Sequence, residues 1–161
     1  MRNLKRSDLP HLHRILCTTG AFHEEEIKVA MELFHAVLDD PKQKDYLVAI
    51  EEEDGQISGY ILYGPVPLAD RVYDIYWLAV KPDSQGKGVG RRLIAHVEEN
   101  IKDLGIRMIC LETSSKDSYE RTRRFYQQAG YVEESRIRDF YYDGDDRITY
   151  VKRFHPSEEK N

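Results

Sequence analysis

The stretch that decides the fold runs from Asp74 to Arg92 and reads Asp-Ile-Tyr-Trp-Leu-Ala-Val-Lys-Pro-Asp-Ser-Gln-Gly-Lys-Gly-Val-Gly-Arg-Arg. Residues 74–80 are a short apolar strand, and Lys81-Pro82-Asp83 turns the chain. Gln85-Gly86-Lys87-Gly88-Val89-Gly90 then opens onto a helical pattern in which Leu93, Ile94, Val97, Ile101 and Leu104 recur at spacings of three and four. A strand that passes through glycines into a helix start is how a chain builds a pyrophosphate cradle, and that is the reading expected here against a plain surface turn. The first amides of a helix have no partner within it, and the aligned peptide dipoles leave that end partly positive. Glycine lets the backbone approach the anion closely. Lys81, Lys87, Arg91 and Arg92 stand beside the turn against Asp83 alone, a local excess of cations in a chain of formal net charge -5.

Two familiar phosphate signatures do not fit. Counting from Gly86, the third residue is Gly88 but the sixth is Arg91, so the dinucleotide fingerprint is broken. Gly86-Lys87 is followed by Gly88, where a nucleoside triphosphate loop needs Ser or Thr. What stands here is Gln-x-x-Gly-x-Gly, which, behind its strand and ahead of its helix, resembles the coenzyme A loop of the GNAT family of N-acetyltransferases. A second block points the same way. Residues 123–131, Arg-Arg-Phe-Tyr-Gln-Gln-Ala-Gly-Tyr, look like the Phe-Tyr-x-x-x-Gly-Phe block that this family carries after its fifth strand. The resemblance covers most of the chain and is least distinctive in the N-terminal third.

At 161 residues the chain is expected to be one domain over 1–154, followed by a polar tail at 155–161. Hydrophobic residues make up 40% and charged ones 33%, and no apolar run approaches the roughly 20 residues that cross a bilayer. No signal core follows the first residues, so a soluble, cytoplasmic protein without a membrane partner is expected. Cys17 and Cys110 have no paired spacing, and the six histidines form no cluster with ligand spacing, so no disulfide framework and no metal site is expected. The acidic balance argues against nucleic acid as the main partner and suits an amine or basic peptide.

Along the chain, a first strand at 1–4 leads to a helix capped by Ser7 or Asp8, with Pro10 in its first turn and Gly20 at its end. A second helix is expected over 23–38, with Ile27, Ala30, Met31, Phe34 and Leu38 on one side. Strands at 46–51 and 56–63 flank Asp54-Gly55, a strong hairpin signal. A strand at 71–80, the cradle and its helix, a strand at 107–113, a helix at 118–129, and strands at 131–142 and 147–154 complete the order. The fold class is α+β. With the resemblance it is the GNAT acyl-CoA N-acyltransferase fold: a central, mostly antiparallel twisted sheet whose parallel fourth and fifth strands splay apart, flanked by about four helices.

The resemblance implies an acetyl-CoA-dependent N-acetyltransferase that moves acetyl to a primary amine by direct attack in a ternary complex. The alternative is an acyl-CoA sensor that has lost transfer chemistry. In the family, the splay leaves backbone groups at Leu78, Ala79 and Val80 to bond pantetheine, and the Val80 amide polarises the thioester carbonyl. The phosphates fall to Gln85, Gly86, Lys87, Gly88, Val89, Gly90 and Arg91. An alkylamine has a pKa of about 10.4, so a base or a water chain must take its proton. Glu112, in a Leu-Glu-Thr segment similar to the family's Leu-Glu-Val block, is the favoured base, and Asp74 competes with it. Tyr126 matches the family tyrosine that protonates the leaving thiolate. Tyr119 stands where many members carry a cofactor-binding asparagine, and Phe125 is expected to serve the core. Arg121, Arg123 and Arg124 either meet phosphate or form a solvated face, and Tyr141 and Tyr142 are candidates for the acceptor pocket. Cys110 reads as a small core residue. Dimerisation is common among relatives, and nothing in the sequence establishes it here.

Overall fold

The computed structural model describes residues 1–154, so the tail expected at 155–161 lies outside the described residues. The chain sorts into two units, Met1–Gly64 with Tyr76–Glu98, and Pro65–Ile75 with the chain from Glu99 onward.

In the first unit, β1 (Arg2–Asn3) is followed by a 3-10 turn and then by α1 (Leu9–Thr18) and α2 (Glu24–Asp39). Asp8 fixes the entry to α1: its carboxylate accepts the Lys5 amide at 2.8 Å and pairs with Arg2 at 2.7 Å. Pro10 occupies the first turn, where no helical NH is needed. Before α2, Glu26 accepts the His23 amide at 2.8 Å, half of a reciprocal cap. Strands β2 (Leu47–Glu53) and β3 (Gln56–Pro65) meet at Asp54-Gly55, both at positive φ, as a two-residue hairpin turn requires. The far end of β4 (Val72–Val80) and most of α3 (Val89–Lys102) complete the unit, whose strands bond in the order β1-β2-β3-β4.

Its core joins Leu12, Ile15 and Leu16 of α1, Ala30 and Phe34 of α2, and Val48, Ile50, Tyr60, Leu62 and Ala79 of the strands. Phe34 meets Tyr60 edge to face at 5.1 Å between ring centres. Burying a side chain of that size contributes about 1.5–3 kcal/mol. On α3, Leu93, Ile94, Val97 and Ile101 are buried as their spacing predicts, and Val89 at the helix start is buried with them. Leu104 is not: the helix ends at Lys102, and Leu104 stands beyond it, exposed.

In the second unit, β4 begins against β5 (Met108–Ser114) in parallel register, from Val72 opposite Met108 to Ile75 opposite Leu111. Residues 76–80 and 112–114 lie beyond that register. A 3-10 turn at Asp117–Tyr119 leads into α4 (Glu120–Gln128), a later helix start than the expected 118. β6 (Val132–Tyr142) and β7 (Asp145–Arg153) form the closing hairpin, and the strands bond in the order β4-β5-β7-β6. β5 pairs antiparallel with β7 along its whole length. One parallel pair among antiparallel neighbours, with four α-helices among the described residues, is the α+β arrangement expected.

Candidate active site

The cradle is built by main chain. Gly86 and Gly88 take φ of 77° and 81°, backbone that side chains resist, and they swing the chain into α3. The first helical bond there runs from the Arg92 amide to the Gly88 carbonyl at 3.0 Å, so the amides of Val89, Gly90 and Arg91 precede the ladder and face outward from the helix start. The Gln85 amide differs from expectation because it donates to the Pro82 carbonyl at 3.2 Å. Its side chain donates to the Val80 carbonyl at 3.3 Å, so Gln85 closes the turn behind the cradle.

The cations beside the cradle divide. Arg92 is committed to the protein: it pairs with Glu51 at 2.5 Å and Glu53 at 2.6 Å, and donates to the Lys87 carbonyl at 3.0 Å. It therefore braces the loop against β2, and the reading of Arg92 as part of a free cationic patch is corrected. Lys81 donates to Gln56 at 3.2 Å. Lys87 and Arg91 are exposed at the cradle. Gly59 escaped the sequence reading. A Cβ there would lie 2.9 Å from the Ala79 carbonyl and 2.9 Å from Val89, so its bareness lets the start of α3 sit on β3 and β4. An isolated glycine inside a strand pattern was the available signal. Leu78, Ala79 and Val80 form the last residues of β4, with Ala79 buried in the core and the other two half-buried.

The candidate bases and the candidate acid lie in the second unit. Cross-strand partners share a face of a sheet. Asp74 is opposite Cys110, and Glu112 follows Cys110 by two, so Asp74, Cys110 and Glu112 line one face. Leu111 is opposite Tyr150, on the other face. Tyr126 packs there, 6.4 Å from the Tyr150 ring and 6.2 Å from Tyr131. The candidate bases and the candidate acid therefore stand on opposite sides of β5.

Their environments differ as sharply. Burial pushes Asp74 up to about 6, the nearby Glu112 charge adds to the rise, and the Ile75 amide pulls the other way. Glu112 is exposed and faces Arg147 at 3.4 Å. Burial also raises Tyr126 well above the ordinary phenol range, with Tyr119 contributing, so Tyr126 keeps its proton at neutral pH. Tyr119, half-buried just before α4, is thus near enough to act on Tyr126 electrostatically. Phe125, expected in the core, is only half-buried, and Tyr126 takes the buried position. Cys110 is half-buried, and its thiol is pushed up by burial and by Asp74. Arg123 donates to the Ser114 and Lys116 carbonyls at 2.9 and 2.7 Å, tying off the end of β5, and Arg124 pairs with Glu120. Tyr141 and Tyr142 are exposed near the hairpin tip.

Each unit, taken by itself, carries features of the kind an acyl transferase uses: the first a free-amide helix start on a glycine turn, the second a protonated tyrosine and a raised carboxyl on the two faces of β5. The comparisons agree. The model of the acetyltransferase (GNAT) family matches residues 9–131. A solved structure of a GNAT-family protein from Desulfovibrio desulfuricans superposes with a TM-score of 0.91 at 37% identity, covering 95% of this chain and 96% of that one. An uncharacterized N-acetyltransferase of Methanocaldococcus jannaschii is 32% identical over 105 residues, 65% of this chain and 64% of that protein. The S-(2-succino)cysteine N-acetyltransferase of Bacillus subtilis is 31% identical over 87 residues, 52% of this chain and 53% of that protein. The chain thus spans less than two thirds of the length of these curated relatives. It belongs to the GNAT family.

Proposed function

We propose that this protein is an acetyl-CoA-dependent N-acetyltransferase that acetylates a primary amine by direct attack within a ternary complex. The observation that carries the reading is the run of amides at the start of α3, opened by Gly86 and Gly88. Gly86, Lys87, Gly88, Val89, Gly90 and Arg91 would hold the pyrophosphate of the cosubstrate, and Leu78, Ala79 and Val80 its pantetheine amides. The carbonyl carbon of the bound thioester is the electrophile.

Asp74 is our preferred base. A carboxyl raised to about 6 is ionised at neutral pH yet basic enough to take a proton from an amine in transit. Glu112, exposed and facing Arg147, then contributes charge that attracts the ammonium form. Tyr126, which keeps its proton until charge develops on the departing sulfur, would pass it to that thiolate and regain one from solvent, to which the base releases the proton taken from the amine. The relative from Bacillus subtilis is itself an N-acetyltransferase, which supports nitrogen as the acceptor atom. No helix among the described residues is long and apolar enough to cross a membrane. The proposed setting is the cytoplasm, in keeping with two free cysteines.

The test is a pair of measurements on the purified protein. Calorimetry should register coenzyme A binding, and a thiol-release assay with acetyl-CoA should show turnover with members of an amine panel. Binding without thiol release across a broad panel would remove the transferase reading. Absence of binding at millimolar coenzyme A would remove the cradle as well.

A further inference from the structure

We propose that the acceptor amine carries a carboxylate and that Arg147 receives it. The inference rests on the transferase reading above and names the class of its acceptor. Ser114 is opposite Arg147 on β7, and Glu112 is opposite Thr149, so Arg147 shares the face of Asp74, Cys110 and Glu112. That face presents the carboxyls of Asp74 and Glu112 and the guanidinium of Arg147, while a second guanidinium, Arg153 opposite Met108, is already taken up by Glu134. It is charge-complementary to a zwitterion, with the amine toward the carboxyls and the carboxylate toward the arginine.

Arg147 is placed as a receiving group. Its Nε is buried and has no hydrogen-bond acceptor. The nearest carboxylate oxygen, on Glu112, stands off at 3.4 Å, longer than the roughly 2.7–2.9 Å of a charge-assisted bond. The side chain keeps 26% of its surface exposed, so the fork is reachable. Phe140, itself exposed, lies over the guanidinium at 4.3 Å and holds the fork flat without using any of its donors. The other half-buried arginine of this unit behaves differently. Arg123 is tied to two carbonyls. The exposed Arg153 meets both oxygens of Glu134 at 2.8 and 2.9 Å. A buried donor left without a partner is costly, and a planar fork matches a carboxylate with two parallel bonds. A carboxylate on the exposed edge of the Arg147 fork gains two parallel bonds while the buried Nε stays turned toward Glu112, and an amine on the same small molecule is then carried to the carboxyl side of the face.

The test uses matched acceptors that differ only at the acid: L-amino acids and their α-carboxamides, at saturating acetyl-CoA. For the unaltered protein we expect kcat/KM about 10-fold or more higher for the acids, a modest share of what a site built around a hydrogen-bonding group can discriminate. Arg147→Gln should raise KM for the acids ~10–100-fold and leave the carboxamides and the acetyl-CoA KM within about twofold, because only the carboxylate loses its partner. Arg147→Lys should fall between, retaining the charge without the fork. Equal use of acids and carboxamides by the unaltered protein overturns the inference while the transferase reading stands, and so does an Arg147→Gln variant that loses both series equally. Thiol release with neither series overturns the inference, and the broad amine panel described above then decides separately whether the transferase reading stands. The acid-against-amide comparison on the unaltered chain is independent of whether any variant folds.

Discussion

In the function proposed above, the turn at the head of α3 and the face of β5 would work with different parts of the chain. The cradle offers main-chain amides, held open by two glycines and braced by Arg92 against Glu51 and Glu53. The β5 region offers side chains whose protonation states are set by burial: Asp74 raised to about 6 on one face, Tyr126 locked in its protonated form on the other. A main-chain site recognises shape and charge and is indifferent to proton traffic. A side-chain site moves protons and is sensitive to every change of environment. Substitutions at the cradle should therefore act on cofactor affinity, and substitutions around β5 on turnover and its pH profile.

The largest effect should come from Tyr126→Phe. The ring contacts with Tyr131 and Tyr150 survive, and only the hydroxyl is lost. We expect kcat to fall ~100-fold or more, the scale of losing a positioned proton donor, with coenzyme A affinity by calorimetry unchanged. Parallel losses in affinity and turnover would show that Tyr126 shapes the cofactor site, and an unchanged kcat would take it out of the chemistry.

Asp74 and Glu112 can be told apart by pH. With Asp74 as base, kcat/KM falls as pH drops through about 6, because protonation removes the acceptor of the proton. Asp74→Asn should abolish most activity together with that limb, and Glu112→Gln should keep the limb at reduced rate. The reverse pattern transfers the role to Glu112. Stability carries the same signature with its own sign. The folded carboxyl sits above its ordinary value of 3.8, so the folded state binds the proton more tightly than the unfolded one. The resulting stabilisation is present at low pH and is lost as pH rises through about 6. Asp74→Asn should accordingly be more stable than the parent at pH 8, by on the order of 1–3 kcal/mol in denaturant titrations, and little different at pH 4.

How much of this was readable beforehand follows from the same division. Main-chain geometry leaves local marks, so Gly86, Gly88 and the helix period after them placed the glycine turn and α3 within a residue or two, and Asp54-Gly55 placed the hairpin. Side-chain placement depends on register between distant strands, which no local pattern encodes. Nothing near Glu112 announces that Arg147 will face it, and nothing near Arg92 announces Glu51. The exchange of Phe125 for Tyr126 has the same origin: which of two adjacent aromatics on α4 turns inward is decided by Tyr131 and Tyr150. Gly59 is intermediate. It is visible as a glycine in a strand, but its purpose appears only once Val89 lies over it. Gly59→Ala forces a methyl to within 2.9 Å of a carbonyl and of Val89, and should lower stability by ~1–3 kcal/mol in thermal or chemical unfolding.

The smallest expected effect is at Arg92, and it bears most directly on whether the cradle is a main-chain device. If Arg92 gripped phosphate itself, Arg92→Gln would cost a charge-assisted contact, and the loss of coenzyme A affinity would grow at low salt. Its donors are instead spent on Glu51, Glu53 and the Lys87 carbonyl. Its contribution is then to hold residues 86–88 in the bound conformation before the ligand arrives, and what is lost on substitution is preorganisation. We expect affinity to fall only ~3–10-fold, with kcat unchanged. Glu51→Gln, which loosens the same brace while removing a negative charge, separates the two accounts. A direct phosphate contact predicts tighter binding when the competing carboxylate is neutralised, whereas a brace predicts weaker binding in both variants. Calorimetry on the two proteins at two ionic strengths decides between them.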